Sequence, residues 1–321
     1  MSKADRAALA PEPAGRAGRP DQGPQEEETG VSVCGLLNVN KPKGITSREA
    51  VDRVRRLGRR LKVGHAGTLD PLASGVLVLC LGPATRLVEY VQQMPKRYTA
   101  TFMLGRTSPT EDAEGEVTVL EAPPVPGEEA IAEAARRLTG TIEQRPPAYS
   151  AIKVEGQRAY ELARQGKPQE LQPRRVTVYR IEVRHYDYPE LKLDVECSAG
   201  TYVRSLGRDL ARSLGTDAVT TRLVRTAVGR FTIEESIDLE HLNRQNWREQ
   251  LLPPVRAVEG METVILSDRE VARVRSGQVI RRRPGTWKSD KLAALDRTGQ
   301  LVAILVPRSD SLLGPVKVLP A

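Results

Sequence analysis

Histidine and cysteine are scarce in this chain, three of each in 321 residues, and phenylalanine and tryptophan are scarcer still at two each. Cys34, Cys80 and Cys197 lie far apart in apolar or alternating runs. A disulfide framework needs paired spacings in a secreted chain, so buried free thiols are expected. His65, His185 and His241 have no partner at metal-ligand spacing, which speaks against a zinc-type centre. There is no phosphate loop of the Walker kind and no dinucleotide fingerprint. No apolar run approaches the roughly 20 residues of a membrane span, and the N-terminus has no signal-peptide core. A cytoplasmic protein without bound metal or cofactor is therefore expected.

What the chain does have is positive charge, 49 Lys and Arg against 41 Asp and Glu, a net +8. The first thirty residues carry Lys3, Arg6, Arg16 and Arg19 against Asp5, Glu12, Asp21, Glu26, Glu27 and Glu28, a net −2, which leaves +10 for the remainder. Rich in Ala, Pro, Gly and Glu, residues 1–30 cannot bury enough surface to offset ordering entropy and read as a disordered tail. The basic remainder suits a polyanionic partner. Arg48, Arg53, Arg55, Arg56, Arg59, Arg60 and Lys62 concentrate that charge, although such a run is equally a solvated helix face.

Residues 33–39 read as a strand broken by a Pro-Lys-Gly turn. Thr46 and Glu49 then form a capping-box pattern, followed by Ala50, Val51, Val54, Leu57 and Leu61 at helical spacing. The run "VLVLCL" is apolar throughout, which predicts a strand buried on both faces. A helix is expected over about 84–93, an alternating strand at "RYTATFMLG", and a helix at "EEAIAEAARRLTG". "VTVYRIEVRHYDY" and "LKLDVECSAG" alternate as half-buried strands, and a helix follows over about 203–214. Without regular βαβ alternation the fold class is α+β with a mostly antiparallel sheet. The pattern resets near Glu259, and residues 262–321 read as a small β-rich domain.

One loop stands out. In "VGHAGTLDPLASGVLVLCLG" a single carboxylate, Asp70, sits among Gly64, Gly67 and Gly75 directly before the apolar strand. Asp-Pro is a common turn pair, and His65 alone would be an ordinary loop or core histidine. The glycines, however, let a ligand approach the backbone closely.

Five segments together say more: "LLNVNKPKGITS", "GHAGTLDPLASGVLVLCLGPATRLVEY", "KRYTATFMLG", "RPPAYSAIKVEGQRAYELARQG" and "CSAGTYVRSLGRDLARSLG". In this order and spacing the chain resembles bacterial TruB-type tRNA pseudouridine synthases over roughly residues 31–320. The resemblance implies a pseudouridine synthase fold over 31–261, with a mixed, mostly antiparallel sheet flanked by helices. It also implies an RNA-gripping insertion at about 145–166 and a PUA-like module over 262–321. The implied activity is isomerisation of the T-loop uridine (uridine-55) of tRNA, by a monomer needing no protein partner.

The resemblance also implies roles. Asp70 matches the catalytic aspartate, Arg204 the arginine paired with it, and Tyr98 the tyrosine stacking on the target base. His65 matches the histidine that helps extrude the base, while Tyr202 and Leu223 fall where the uracil pocket is lined. Lys41 with Pro42 matches a "KP" motif near the active site. Tyr202 and Leu223 read equally well as core. Isomerisation has no net redox or hydrolysis, in keeping with the missing cofactor and metal motifs. Ser108-Pro109-Thr110 departs from the family's Thr-Asp-Thr, which leaves that loop's contacts open, and Arg86 replaces a lysine. The rival readings are a guide-RNA-dependent enzyme of the same superfamily and a non-catalytic tRNA-folding factor gripping the T arm.

Overall fold

A computed structural model describes residues 33–58, 60–150, 152–154, 156–281 and 287–320. The tail expected over residues 1–30 lies outside the described residues. Among them, ten strands form one sheet: β1 (Gly35–Lys41), β2 (Val63–His65), β3 (Ser74–Leu81), β4 (Lys96–Leu104), β5 (Gly140–Gln144), β6 (Arg174–Asp187), β7 (Glu190–Cys197), β8 (Ala218–Val228), β9 (Phe231–Thr232) and β10 (Ile237–Asp238). Their spatial order is β10–β1–β3–β8–β4–β7–β6–β5, with β2 paired on β3 and β9 on β8. The pairs β1–β10 and β3–β8 are parallel. The long pairs β1–β3, β8–β4, β4–β7 and β7–β6 are antiparallel, so the sheet is mixed and mostly antiparallel, as the sequence predicts.

The apolar run of β3 explains its place inside the sheet. Leu77, Leu79 and Leu81 face one core, shared with α1 (Ser47–Arg55), α3 (Glu128–Arg137) and α5 (Val203–Ser213) through Val54, Ile131 and Leu206. Val76, Val78 and Cys80 face a second core on the opposite side. Each such side chain, fully buried, is worth roughly 1.5–3 kcal/mol, so this strand is a rigid support for whatever precedes it.

The elements start where local chemistry says they should. Thr46 caps α1: its Oγ1 accepts from Glu49 N at 3.1 Å, and the Glu49 carboxylate accepts from Thr46 N at 2.7 Å. The helix ends at Arg55, earlier than the spacing through Leu61 predicts. Arg60 adopts the left-handed region at φ +54°, which turns the chain back into β2. Leu57 and Leu61 still pack on the first core. The helix expected over 84–93 divides into a 3-10 turn, Gly82–Leu87, entered at Pro83, and α2 (Val88–Gln93), and a short α4 (Ala159–Arg164) follows α3 in the chain.

From Thr263 a second sheet forms from β11 (Thr263–Ile265), β12 (Ile280–Arg281), β13 (Leu292–Leu295), β14 (Leu301–Ser309) and β15 (Leu312–Val318), in the order β11–β13–β14–β15–β12. It packs into the second core: Ala293, Leu301, Ile304 and Leu319 join Leu36, Val76, Val78 and Cys80. Lys317 Nζ pairs with Glu89 at 3.0 Å, and Arg86 donates to the Val318 carbonyl. The three cysteines are free. Among the described residues no helix is long and apolar enough to cross a membrane.

Candidate active site

The loop between β2 and β3 is held from several directions. Arg225 of β8 is 1% exposed and donates Nε to the Val76 carbonyl at 2.7 Å, Nη2 to Gly67 at 3.1 Å and Nη1 to Thr68 at 3.3 Å. The close β3–β8 approach requires Gly75, at φ +101°, because a Cβ there would stand 2.3 Å from the Arg225 carbonyl. At the start of α1, Ser47 Oγ donates to the Leu69 carbonyl at 3.0 Å and accepts from Leu69 N at 2.8 Å. Gly44 N donates to the Pro71 carbonyl at 2.8 Å. The Asp70 carbonyl accepts from Ala73 N at 3.1 Å, so the Asp-Pro turn is formed. Its carboxylate is 37% exposed and free for a second task.

That carboxylate meets Arg204, whose side chain is 4% exposed, at 2.9 Å between Oδ2 and Nη2. Arg204 sits in the first turn of α5, a helix buried along most of its length. Its Nη1 also reaches Asp112 Oδ2 at 3.4 Å and donates to the Thr110 carbonyl, and Nη2 donates to the Tyr149 carbonyl at 3.1 Å. One guanidinium thus ties Asp70 to a buried carboxylate and to two loops. Asp112 is fixed in turn by Thr110 Oγ1 at 2.6 Å and Glu114 N at 3.1 Å. The loop holding Ser108 and Pro109 therefore does contact the site, through Thr110 and Asp112.

The other expected residues fall in two groups. Lys41, fully buried, donates Nζ to the Pro42 carbonyl at 2.9 Å and to Ile45 at 2.7 Å. Burial brings its pKa down to about 8, with the nearby Asp70 charge acting against that fall. Tyr98 stands opposite Arg225 across the β4–β8 pair, and burial pushes its phenol pKa up, so it stays protonated. Burial, reinforced by Arg225, lowers the pKa of His65, so its ring is neutral at pH 7. Lys41 and Tyr98 feel the charges of both Asp70 and Arg225, and His65 that of Arg225. Tyr202, by contrast, has its backbone clasped by Gln144, N to Oε1 at 2.8 Å and carbonyl to Nε2 at 3.0 Å. Its ring lies 4.8 Å beneath the Arg174 guanidinium. Leu223 is 6% exposed, opposite Ala100 in the first core.

Sequence reasoning missed Asp112, Arg225 and Gln144. The acid-rich "TEDAEGE" after the departure at Ser108-Pro109 was a usable signal for Asp112. Arg225 had none, since its partners are backbone carbonyls.

A family model described as "TruB family pseudouridylate synthase (N terminal domain)" matches residues 55–203. A protein named tRNA pseudouridine synthase B from Bacillus licheniformis is 40% identical over 303 residues, covering 89% of this chain and 97% of that protein. One of the same name from Paenarthrobacter aurescens is 41% identical over 285 residues, covering 85% and 91%. Among solved structures, a Cbf5-Nop10-Gar1 complex is similar at TM-score 0.70 and 27% identity, over 89% of this chain and 85% of that one. An H/ACA RNP bound to a substrate RNA containing 2'-deoxyuridine is similar at TM-score 0.68 and 26% identity, over 89% and 85%.

Proposed function

The chain belongs to the TruB family of pseudouridylate synthases, and from that premise we propose that it isomerises the T-loop uridine (uridine-55) of tRNA to pseudouridine, with Asp70 as nucleophile. The observation that carries the reading is the 2.9 Å contact between a part-exposed Asp70 carboxylate and a buried Arg204. The reaction breaks an N–C bond and makes a C–C bond, with no atom gained or lost, so a positioned nucleophile and a dry floor supply what it needs. A stacked uridine must first leave its loop. In this reading His65, neutral and beside the loop, assists extrusion, and Tyr98 stacks on the extruded base. Tyr202 and Leu223 wall the uracil, and Lys41 supports the loop with its positive charge.

The same reading gives residues 31–261 the catalysis, residues 145–166 a grip on the T arm, and the second sheet, from 262 on, a PUA-like role in RNA binding. The enzyme acts as a monomer in the cytoplasm, a location its three free thiols support. A guide-RNA-dependent mode is favoured by one finding, the likeness to Cbf5 in complexes. Against it, the curated relatives at about 40% identity are named as tRNA enzymes over nearly their whole length. The test is to incubate the protein alone with an unmodified tRNA transcript and map pseudouridine. Modification at the T-loop uridine is expected. No modification without added components overturns the stand-alone reading, and none at any uridine under any condition overturns the enzyme.

A further inference from the structure

Arg204 has a counterpart one helical turn further along α5. Arg208, its side chain 9% exposed, pairs through Nη1 with Glu111, and its Nη2 donates to the Arg145 carbonyl at 3.0 Å. Its outer edge is held by Asp209 at 2.8 Å. The two arginines therefore make the same pair of contacts. Each grips one carboxylate of the turn Glu111–Asp112 and one carbonyl of residues 145–149, where the insertion begins. Glu111 is not held by Arg208 alone. Ser205 Oγ donates to its Oε2 at 2.7 Å, and its own carbonyl accepts from Thr220 N at 3.0 Å.

Two features show that the carboxylate of Glu111 is kept against opposing costs. Its backbone sits at φ +60°, a region that strains any residue but glycine. Its side chain is 12% exposed, and burial penalises the charged form, with Arg208 acting in the other direction. A residue chosen only for the turn would be glycine, and a residue chosen only for burial would be apolar.

We propose that Glu111 and Arg208 form a second ionic tier whose task is positioning: it fixes the 110–112 turn and the root of the insertion on α5, so that Arg204 holds Asp70 in the reactive placement. The inference rests on the pseudouridine synthase reading. Neither residue touches the uridine; both act through Arg204.

The test uses the full chain and unmodified tRNA transcript, in single turnover with saturating enzyme. Glu111→Gln keeps shape and the Ser205 contact but removes the charge. Glu111→Gly relieves the left-handed strain and removes the carboxylate, so the turn survives. Both variants should bind tRNA within about twofold of the wild type yet turn over about tenfold or more slowly, since sub-ångström misplacement near a nucleophile is enough for that. Arg208→Met should slow turnover similarly, and its combination with Glu111→Gly should cost little more than either change alone, because both break one contact. A purely structural role predicts instead that Glu111→Gly and Glu111→Gln lower the melting temperature, as a broken buried pair does, yet turn over at the wild-type rate. That result, or strictly additive rate losses, overturns the proposal. A wild type that forms no pseudouridine defeats the functional reading and is seen before any variant is compared.

Discussion

Arg204 serves two carboxylates, and that fixes what its loss does. Arg204→Met removes the cation paired with the buried Asp112, which costs about 3–5 kcal/mol when a buried pair is broken, and it frees Asp70 at the same time. The expected outcome is a lowered melting temperature together with crippled turnover. Arg204→Lys keeps the charge but not the fork that spans two oxygens, and should restore more stability than rate. Asp70→Asn is the cleaner probe, since the turn contact from Ala73 N uses the backbone carbonyl and survives. Pseudouridine formation should vanish while tRNA affinity changes by less than about tenfold, roughly 1.4 kcal/mol. If single-turnover conversion by Asp70→Asn runs near the wild-type rate, Asp70 is only the turn residue its Asp-Pro pair would permit.

The two arginines work because α5 lies hard against β4. A Cβ at Gly207 would stand 2.1 Å from the Phe102 ring, so the helix can sit this close only with glycine there. Gly207→Ala should lift the helix, destabilise by about 1–3 kcal/mol as overpacked cores do, and slow turnover further than the melt alone would explain. Circular-dichroism melts beside single-turnover rates would show the two losses. A melt shift with an unchanged rate would mean that the helix position does not govern Asp70. At this scale the limits of the sequence are visible. The capping box at Thr46 and the two-faced burial of β3 were legible because both depend on neighbours within a few residues. Asp70 and Arg204 were legible only through family resemblance. The link from Asp112 to Arg204 joins a loop to a helix more than 90 residues later, and no periodicity announces it. Arg225 lay in an alternating strand, where a guanidinium satisfied by three carbonyls leaves no partner to find. The early end of α1 was hidden because Leu57 and Leu61 stay on the core by a turn rather than by helix.

Buried cations and thiols set the pH response of the whole molecule. Lys41 and Lys96 are both brought down by burial to about 8 from 10.5, so above pH 8 the unfolded chain holds protons the folded one has lost, and stability rises with pH. Burial lifts Cys197 to about 11 and Cys80 to about 12 from 9.0, so above pH 9 the unfolded thiols ionise first and offset the lysines; above 10.5, where the unfolded lysines also deprotonate, the sign reverses. Melting temperature should climb from pH 8 to 9, level off up to about pH 10.5 and fall beyond it, with a weaker climb in Lys96→Met; a monotonic fall from pH 8 upward would contradict the assignment. The two sheets also share a core, so deleting everything after Glu259 would bare Val76, Val78 and Cys80 to water, and that truncation should aggregate rather than merely bind tRNA weakly. Binding itself is better probed by charge. A groove of about 630 Å³ opens at the C-terminal end of α1, lined by Arg55, Arg56, Arg60 and Lys62 with Asp52. Asp52 is already shared by Arg48 and Arg55. The other end of α1 is latched to the Asp70 loop through Ser47, so this cationic track lies one nine-residue helix, about 14 Å, from that loop. Each phosphate neutralised contributes a slope of about −0.7 to −0.9 in log K against log salt. Arg56→Glu with Arg60→Glu should therefore flatten the slope by roughly 1.4 to 1.8 while leaving single-turnover rate at saturating protein unchanged. Arg136 and Arg137, each paired with Glu133 on α3, supply the control. A wild-type plot that is already flat, or a control pair that flattens it as much as the groove pair does, would remove the track.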